Sequence, residues 1–189
     1  MNDVTLSVKE DLRRVLADLE RLNRVGGDVY RATASALLRA GTTVVSRSSR
    51  EIAKDSGLPA KLVRGRFGRV ANTGARRLRA TWRARLSPVP VRVLGTARET
   101  RRGVSVGRRS YPGAFIARSQ HGKDAVFRRK GRARLPIEEI FEPLVNADAT
   151  IRRHLRTTGR ERFAIEFRRA ARVALRNPGQ LHRGRRARR

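Results

Sequence analysis

The stretch Leu78-Arg79-Ala80-Thr81-Trp82-Arg83-Ala84-Arg85-Leu86 puts an apolar or small residue at every second position and a polar one between. Nine residues of strict alternation specify a half-buried β-strand, because successive side chains of a strand point to opposite faces. Trp82 then belongs to the core phase. Arg79, Arg83 and Arg85 share the opposite phase and make a basic sheet face, either solvated or in contact with a polyanion. Val89, Val91 and Val93 carry the alternation past Pro88, while Pro88 and Pro90 imply a bend or an edge position. Residues 103–106, 114–118 and 125–129 read as further short strands, with His121-Gly122-Lys123-Asp124 as the hairpin loop between the last two. The middle of the chain is therefore expected to form a central antiparallel sheet of about four strands, five at most.

On the N-terminal side the period changes to that of a helix. Ser7-Val8-Lys9-Glu10 has capping-box spacing, and Leu12, Val15, Leu16, Leu19 and Leu22 follow at helical intervals until Gly26-Gly27. This first helix is expected either to pair with the next one or to reach a neighbouring subunit. Asp28 can cap a second, longer helix with the stripe Tyr30, Ala34, Leu37, Leu38, Gly41, Val45, Ser48 and Ile52, ending at Ser56-Gly57. The small residues Ala34, Gly41 and Ser48 leave room for a helix or a sheet to approach closely. A short helix is expected over 59–67, with Pro59 in its first turn.

After the sheet, Ile151, Leu155, Phe163, Phe167, Ala170, Ala171, Ala174 and Leu175 fit one long helix from near Asn146. Gly159 is its weak point and Pro178-Gly179 its end. The last residues have no apolar face, so a disordered basic tail is expected. Helices, then sheet, then helix is an α+β order. It divides into an N-terminal helix and possible assembly arm (1–27), an α+β domain (28–177) and the tail (178–189).

The 189 residues carry 46 Lys+Arg against 16 Asp+Glu, a formal net charge of +30, and only five of the basic residues are lysines. A surplus of this size repels itself and implies a polyanionic partner, nucleic acid first. Residues 1–28 are net −1, residues 29–149 net +19 and residues 150–189 net +12, so the opening segment lies outside any polyanion footprint. With no cysteine, thiolate metal sites, disulfides and cysteine nucleophiles are excluded. No secretory signal or membrane-spanning apolar run is apparent, and the chain reads as soluble, made in a cytoplasm and without a membrane partner.

Catalytic chemistry finds little support. His121, His154 and His182 are scattered, with no second histidine or carboxylate at ligand spacing, and His121 with Asp124 reads as polar hairpin residues. Glu138, Glu139 and Glu142 form the densest acidic cluster and read as the start of a helix, where they complement its dipole. No phosphate-cradling glycine loop is present, and Gly65-Arg66-Phe67-Gly68 is too short to be one. The expectation is no catalytic residue, no metal and no cofactor. Aromatics are too few for a base-stacking platform. Any DNA contact would go to the backbone, independent of sequence and sensitive to salt, with Arg183, Arg185, Arg186, Arg188 and Arg189 of the tail joining Arg79, Arg83 and Arg85.

Several segments taken in order resemble a known family. They are Glu51-Ile52-Ala53-Lys54 with Pro59-Ala60-Lys61-Leu62-Val63, Thr100-Arg101-Arg102-Gly103-Val104-Ser105-Val106, Tyr111-Pro112-Gly113-Ala114-Phe115-Ile116-Ala117, Val126-Phe127-Arg128-Arg129 and Gly131-Arg132-Ala133-Arg134-Leu135-Pro136-Ile137. Together, over roughly 30–145, they are similar to the phage minor tail protein Z family. Glu142 before Pro143 departs from the glycine expected there. The resemblance implies a structural virion protein of a long-tailed phage or prophage, added late at the head-proximal end of the tail before the head joins, and assembled in the host cytoplasm. It implies a ring of identical subunits, other tail and neck proteins as partners, and non-specific contact with the end of double-stranded DNA. Pro112, Gly113, Phe115, Leu135, Pro136 and Ile137 would shape strand ends and turns. The alternative is a free, sequence-independent nucleic-acid-binding protein.

Overall fold

A computed structural model describes residues 3–6, 26–70, 80–119 and 122–176. The expected first helix, the basic tail, Arg79 and His121 lie outside these residues.

The central element is α1 (Gly26–Ser56), where the sequence places its second helix. The stripe read from the sequence is one part of a broader buried face, to which Ala32, Ala36, Ala40 and Val44 also belong. The small residues do admit a sheet. A Cβ at Gly41 would collide with the six-membered ring of Trp82, so only glycine lets the indole lie against the helix. Pro59 precedes a single-turn α2 (Ala60–Arg64), shorter than expected because the chain has already turned into a strand at Phe67.

Trp82 is carried by β3 (Thr81–Arg85), the centre of a three-stranded antiparallel sheet. Ala80, Trp82 and Ala84 are buried and Arg83 and Arg85 exposed, as the alternation requires, but Thr81, which the alternation puts on the exposed face, is buried as well. Its neighbours are β2 (Phe67–Val70), with Phe67 opposite Ala84, and β1 (Asp3–Leu6), with Leu6 opposite Trp82. Past this sheet the valine alternation does not continue as strand. Only β4 (Val89–Pro90) forms, and a 3-10 turn over Val91–Leu94 follows, burying Val91 and exposing Val93. Pro88 and Pro90 have no N–H to extend a ladder, so the chain bends there.

The remaining strands form two further three-stranded antiparallel sheets. One joins β5 (Ala97–Thr100), β6 (Gly103–Val106) and β7 (Arg109–Pro112). The other joins β8 (Ala114–Arg118), β9 (Asp124–Arg129) and β10 (Ile137–Glu139), while β11 (Phe141–Glu142) pairs with β4. The class is α+β with antiparallel sheets, as expected, but among the described residues the strands are divided among four small sheets rather than one. Val91, Val104, Val106, Tyr111, Ala114 and Val126 form a core of their own between the two later sheets. A second core joins the C-terminal part of α1 to α2, β3 and β4 through Ile52, Leu58, Val63, Ala84 and Val89.

The final helical segment also closes on α1. It runs as α3 (Ala147–His154), a π-helical turn (Leu155–Gly159) and α4 (Arg160–Arg176). The expected weak point at Gly159 is the end of that π turn.

Candidate assembly and nucleic-acid surface

Many of the arginines are bound up in the fold itself. Arg109 on β7 donates from Nη2 to the carbonyls of Ser56 (2.6 Å) and Gly57 (3.0 Å), capping α1, and pairs from Nη1 with Glu142 at 2.6 Å. The other carboxylate oxygen of Glu142 accepts from the Tyr111 hydroxyl at 2.8 Å. Burial works to raise the Glu142 carboxyl, but the bonds from Arg109 and Tyr111 outweigh it and hold it below its ordinary value. Burial and the Glu142 bond both push the Tyr111 hydroxyl up. The residue that departs from the family pattern thus takes part in a clasp that joins the end of α1 to β7 and β11. Arg66, in the turn before β2, is likewise structural, donating to the Arg85 carbonyl at 3.0 Å and to the Ser87 hydroxyl at 2.7 Å.

The acidic cluster does not start a helix. Glu138 and Glu139 lie in β10 and Glu142 in β11, where each faces a cation: Lys130 at 3.2 Å, Arg92 at 3.7 Å and Arg109 respectively. The nearest helix, α3, begins only at Ala147, because Pro143 and the left-handed Asn146 separate it from the strand. Among the described residues no group of three His, Asp or Glu is placed to hold a metal ion.

A polar cluster that spacing within one helix does not reveal forms between α1 and the final helical segment. His154 Nε2 lies 2.8 Å from Glu51 Oε2, its Nδ1 lies 3.2 Å from Thr158 Oγ1, and Arg153 pairs with the other oxygen of Glu51. The bonds with His154 and then Arg153 keep the Glu51 carboxyl below its ordinary value. His154 and Glu51 are 103 residues apart, so only the packing of two helices joins them. Arg47 of α1 donates to Thr158 as well, at 3.3 Å. The cluster ties helices together.

Of the residues proposed for DNA contact, Arg83 and Arg85 are exposed on β3, and Arg83 is already engaged in an interaction. Arg79, Arg183, Arg185, Arg186, Arg188 and Arg189 fall outside the described residues. The motif residues separate into two groups. Pro112 and Gly113 make the step from β7 to β8, where Gly113 has φ +69° and its N–H donates to the Arg102 carbonyl at 2.8 Å. A Cβ there would meet nothing, so conformation rather than space calls for glycine. Half-buried Phe115 stacks on Phe127 with centroids 6.2 Å apart, and Arg129 lies over its ring. Leu135, Pro136 and Ile137 instead project outward: Leu135 is 68% and Ile137 40% exposed.

Comparison with known proteins accounts for the order of these segments. The family model for prophage minor tail protein Z matches residues 11–178. The tail completion protein of Escherichia phage N15 is 33% identical over 138 residues, covering 67% of this chain and 74% of the phage protein. No solved structure matches the chain. The chain belongs to the prophage minor tail protein Z family and is a structural protein of the phage tail.

Proposed function

We propose that this protein completes the tail: it is added at the head-proximal end as a ring of identical subunits, and it prepares that end for the head. It acts by assembly, with no catalytic step, and its arginines contact the end of the double-stranded DNA without reading sequence. The observation that carries this reading is the family match across nearly the whole chain, joined to the tail completion role of the N15 relative. Two surface features support the finer parts. Ile165 and Val173, 43% and 47% exposed and just over two turns apart on α4, make an apolar face that a neighbouring subunit can cover. The net charge of +30 would remain even with every one of the 16 carboxylates paired to a cation, which suits a conduit for DNA. Partners are further copies of the chain, tail and neck proteins, and duplex DNA. The test is negative-stain imaging of tails assembled with and without the protein. Tails lacking it are expected to accumulate without heads, and normal head attachment would sink the completion role.

A further inference from the structure

Among the described residues, the basic surplus is concentrated most densely on one projecting element. Between β9 and β10 the chain runs Arg128-Arg129-Lys130-Gly131-Arg132-Ala133-Arg134-Leu135, with five cations in eight residues and no acid. The ribbon is in register at its base, with Ile137 opposite Arg129 and Glu138 opposite Arg128. The Lys130 N–H donates to the Pro136 carbonyl at 3.1 Å and closes the loop. Every residue from Arg128 to Glu138 is exposed. Lys130 is paired with Glu138 and Arg129 lies over Phe115, but Arg128, Arg132 and Arg134 have no ionic partner among the described residues. Some other arginines are matched within the fold: Arg39 with Glu166, Arg109 with Glu142, Arg152 with Asp148 and Arg153 with Glu51. Exposed ones such as Arg98, Arg101, Arg102 and Arg108 are scattered singly or in pairs rather than gathered on one arm.

We propose that this β9–β10 hairpin is the arm that grips the phosphate backbone of duplex DNA, with Arg128, Arg132 and Arg134 as its phosphate contacts. The proposal rests on the DNA-contact reading above and names the element that makes the contact. A two-stranded ribbon has the width to enter a duplex groove, and arginine forks match phosphate oxygens. Leu135 at the tip offers apolar surface for a sugar or base edge. Five cations with no acid among them complement a polyanion. The α4 arginines Arg168, Arg169 and Arg172 are also exposed, but they alternate with Ile165 and Val173 and suit a subunit contact instead.

The test uses the purified full-length chain, a blunt 30-bp duplex of arbitrary sequence, and binding measured by fluorescence anisotropy over a series of salt concentrations. Each phosphate contact contributes about 0.9 to the slope of log affinity against log salt. Arg128→Gln/Arg132→Gln/Arg134→Gln is expected to lower that slope by about 2–3 and to weaken binding about tenfold or more. The control Arg168→Gln/Arg169→Gln/Arg172→Gln is expected to change it by less than about 1. Melting curves of the hairpin variant should match the parent, because none of its three side chains pairs within the fold. If the parent chain does not bind the duplex, the arm and the DNA-contact reading both fall. If it binds and the hairpin variant keeps the full slope, only the arm is overturned. Full DNA binding with loss of incorporation into tails would assign the hairpin to an acidic tail protein instead, and would also overturn it.

Discussion

At Gly41 the missing side chain is what admits the Trp82 ring to the surface of α1. Gly41→Ala forces the ring and the helix apart, and overpacking of this kind costs about 1–3 kcal/mol. That exceeds the roughly 1 kcal/mol alanine gains in helix propensity. A lower midpoint in denaturant unfolding is expected, with a smaller loss in a Trp82→Phe background, so a double-mutant cycle reads the contact directly. Glu142 gives a second prediction with a defined pH window. Its folded-state carboxyl is held below the ordinary 4.5, so its contribution is present above that value and is lost as pH falls through the folded one. Glu142→Gln is expected to cost about 1–2 kcal/mol at pH 7. It should also flatten the decline in melting temperature below about pH 4.5, measured by circular dichroism. The two sites differ in how far the sequence disclosed them. Small residues on a helical stripe and a tryptophan in strand phase are local patterns, and both were legible. Arg109, Tyr111 and Glu142 are brought together only by tertiary pairing, and a glutamate beside a proline carries no sign of the arginine that will meet it.

At the scale of elements, the final helical segment shows how a local irregularity serves packing. Its inward positions, Ile151, Leu155, Gly159, Phe163 and Phe167, recur every four residues, whereas an α-helix repeats every 3.6. Without correction this stripe would drift around the helix and leave α1. The π turn over Leu155–Gly159 absorbs one extra residue and brings Phe163 back to the shared face, where it packs with Leu37, Val45 and Trp82. Deleting the exposed Thr157 is therefore expected to convert the turn to α-helix at a cost of about 1 kcal/mol, with unfolding still cooperative. Deleting the exposed Arg50 from α1, which has no such turn, rotates everything beyond it by about 100° and should abolish the cooperative transition in thermal unfolding. The sequence did reveal the long helices and the strands β3, β6, β8 and β9, because their apolar spacing is regular. It did not reveal β1, β2, β5, β7, β10 or β11. Those strands are at most four residues long, too short for a pattern of their own, and are held by backbone pairing to a neighbour.

For the whole molecule, the charge read at the outset resolves into three uses. Some arginines close ion pairs, some cap backbone carbonyls, and others stand exposed, the densest group among the described residues on one projecting hairpin. Composition gave the size of the surplus, but its distribution depended on which carboxylates the fold delivers to which cations. The assignment to the tail was legible from the short segments between 51 and 137, most of which fall in strands, turns or the projecting loop. The Arg109 clasp has a mechanical consequence. It fastens β7 and β11 to the last carbonyl of a 31-residue helix about 46 Å long and to the Gly57 carbonyl just beyond it. α1 is also packed along its length against the final helical segment, against Trp82 at Gly41 and into the core around Ile52. A load that reaches the clasp is therefore shared by the whole helical layer, and the joint transmits force as a rigid splice without any strand leaving its sheet.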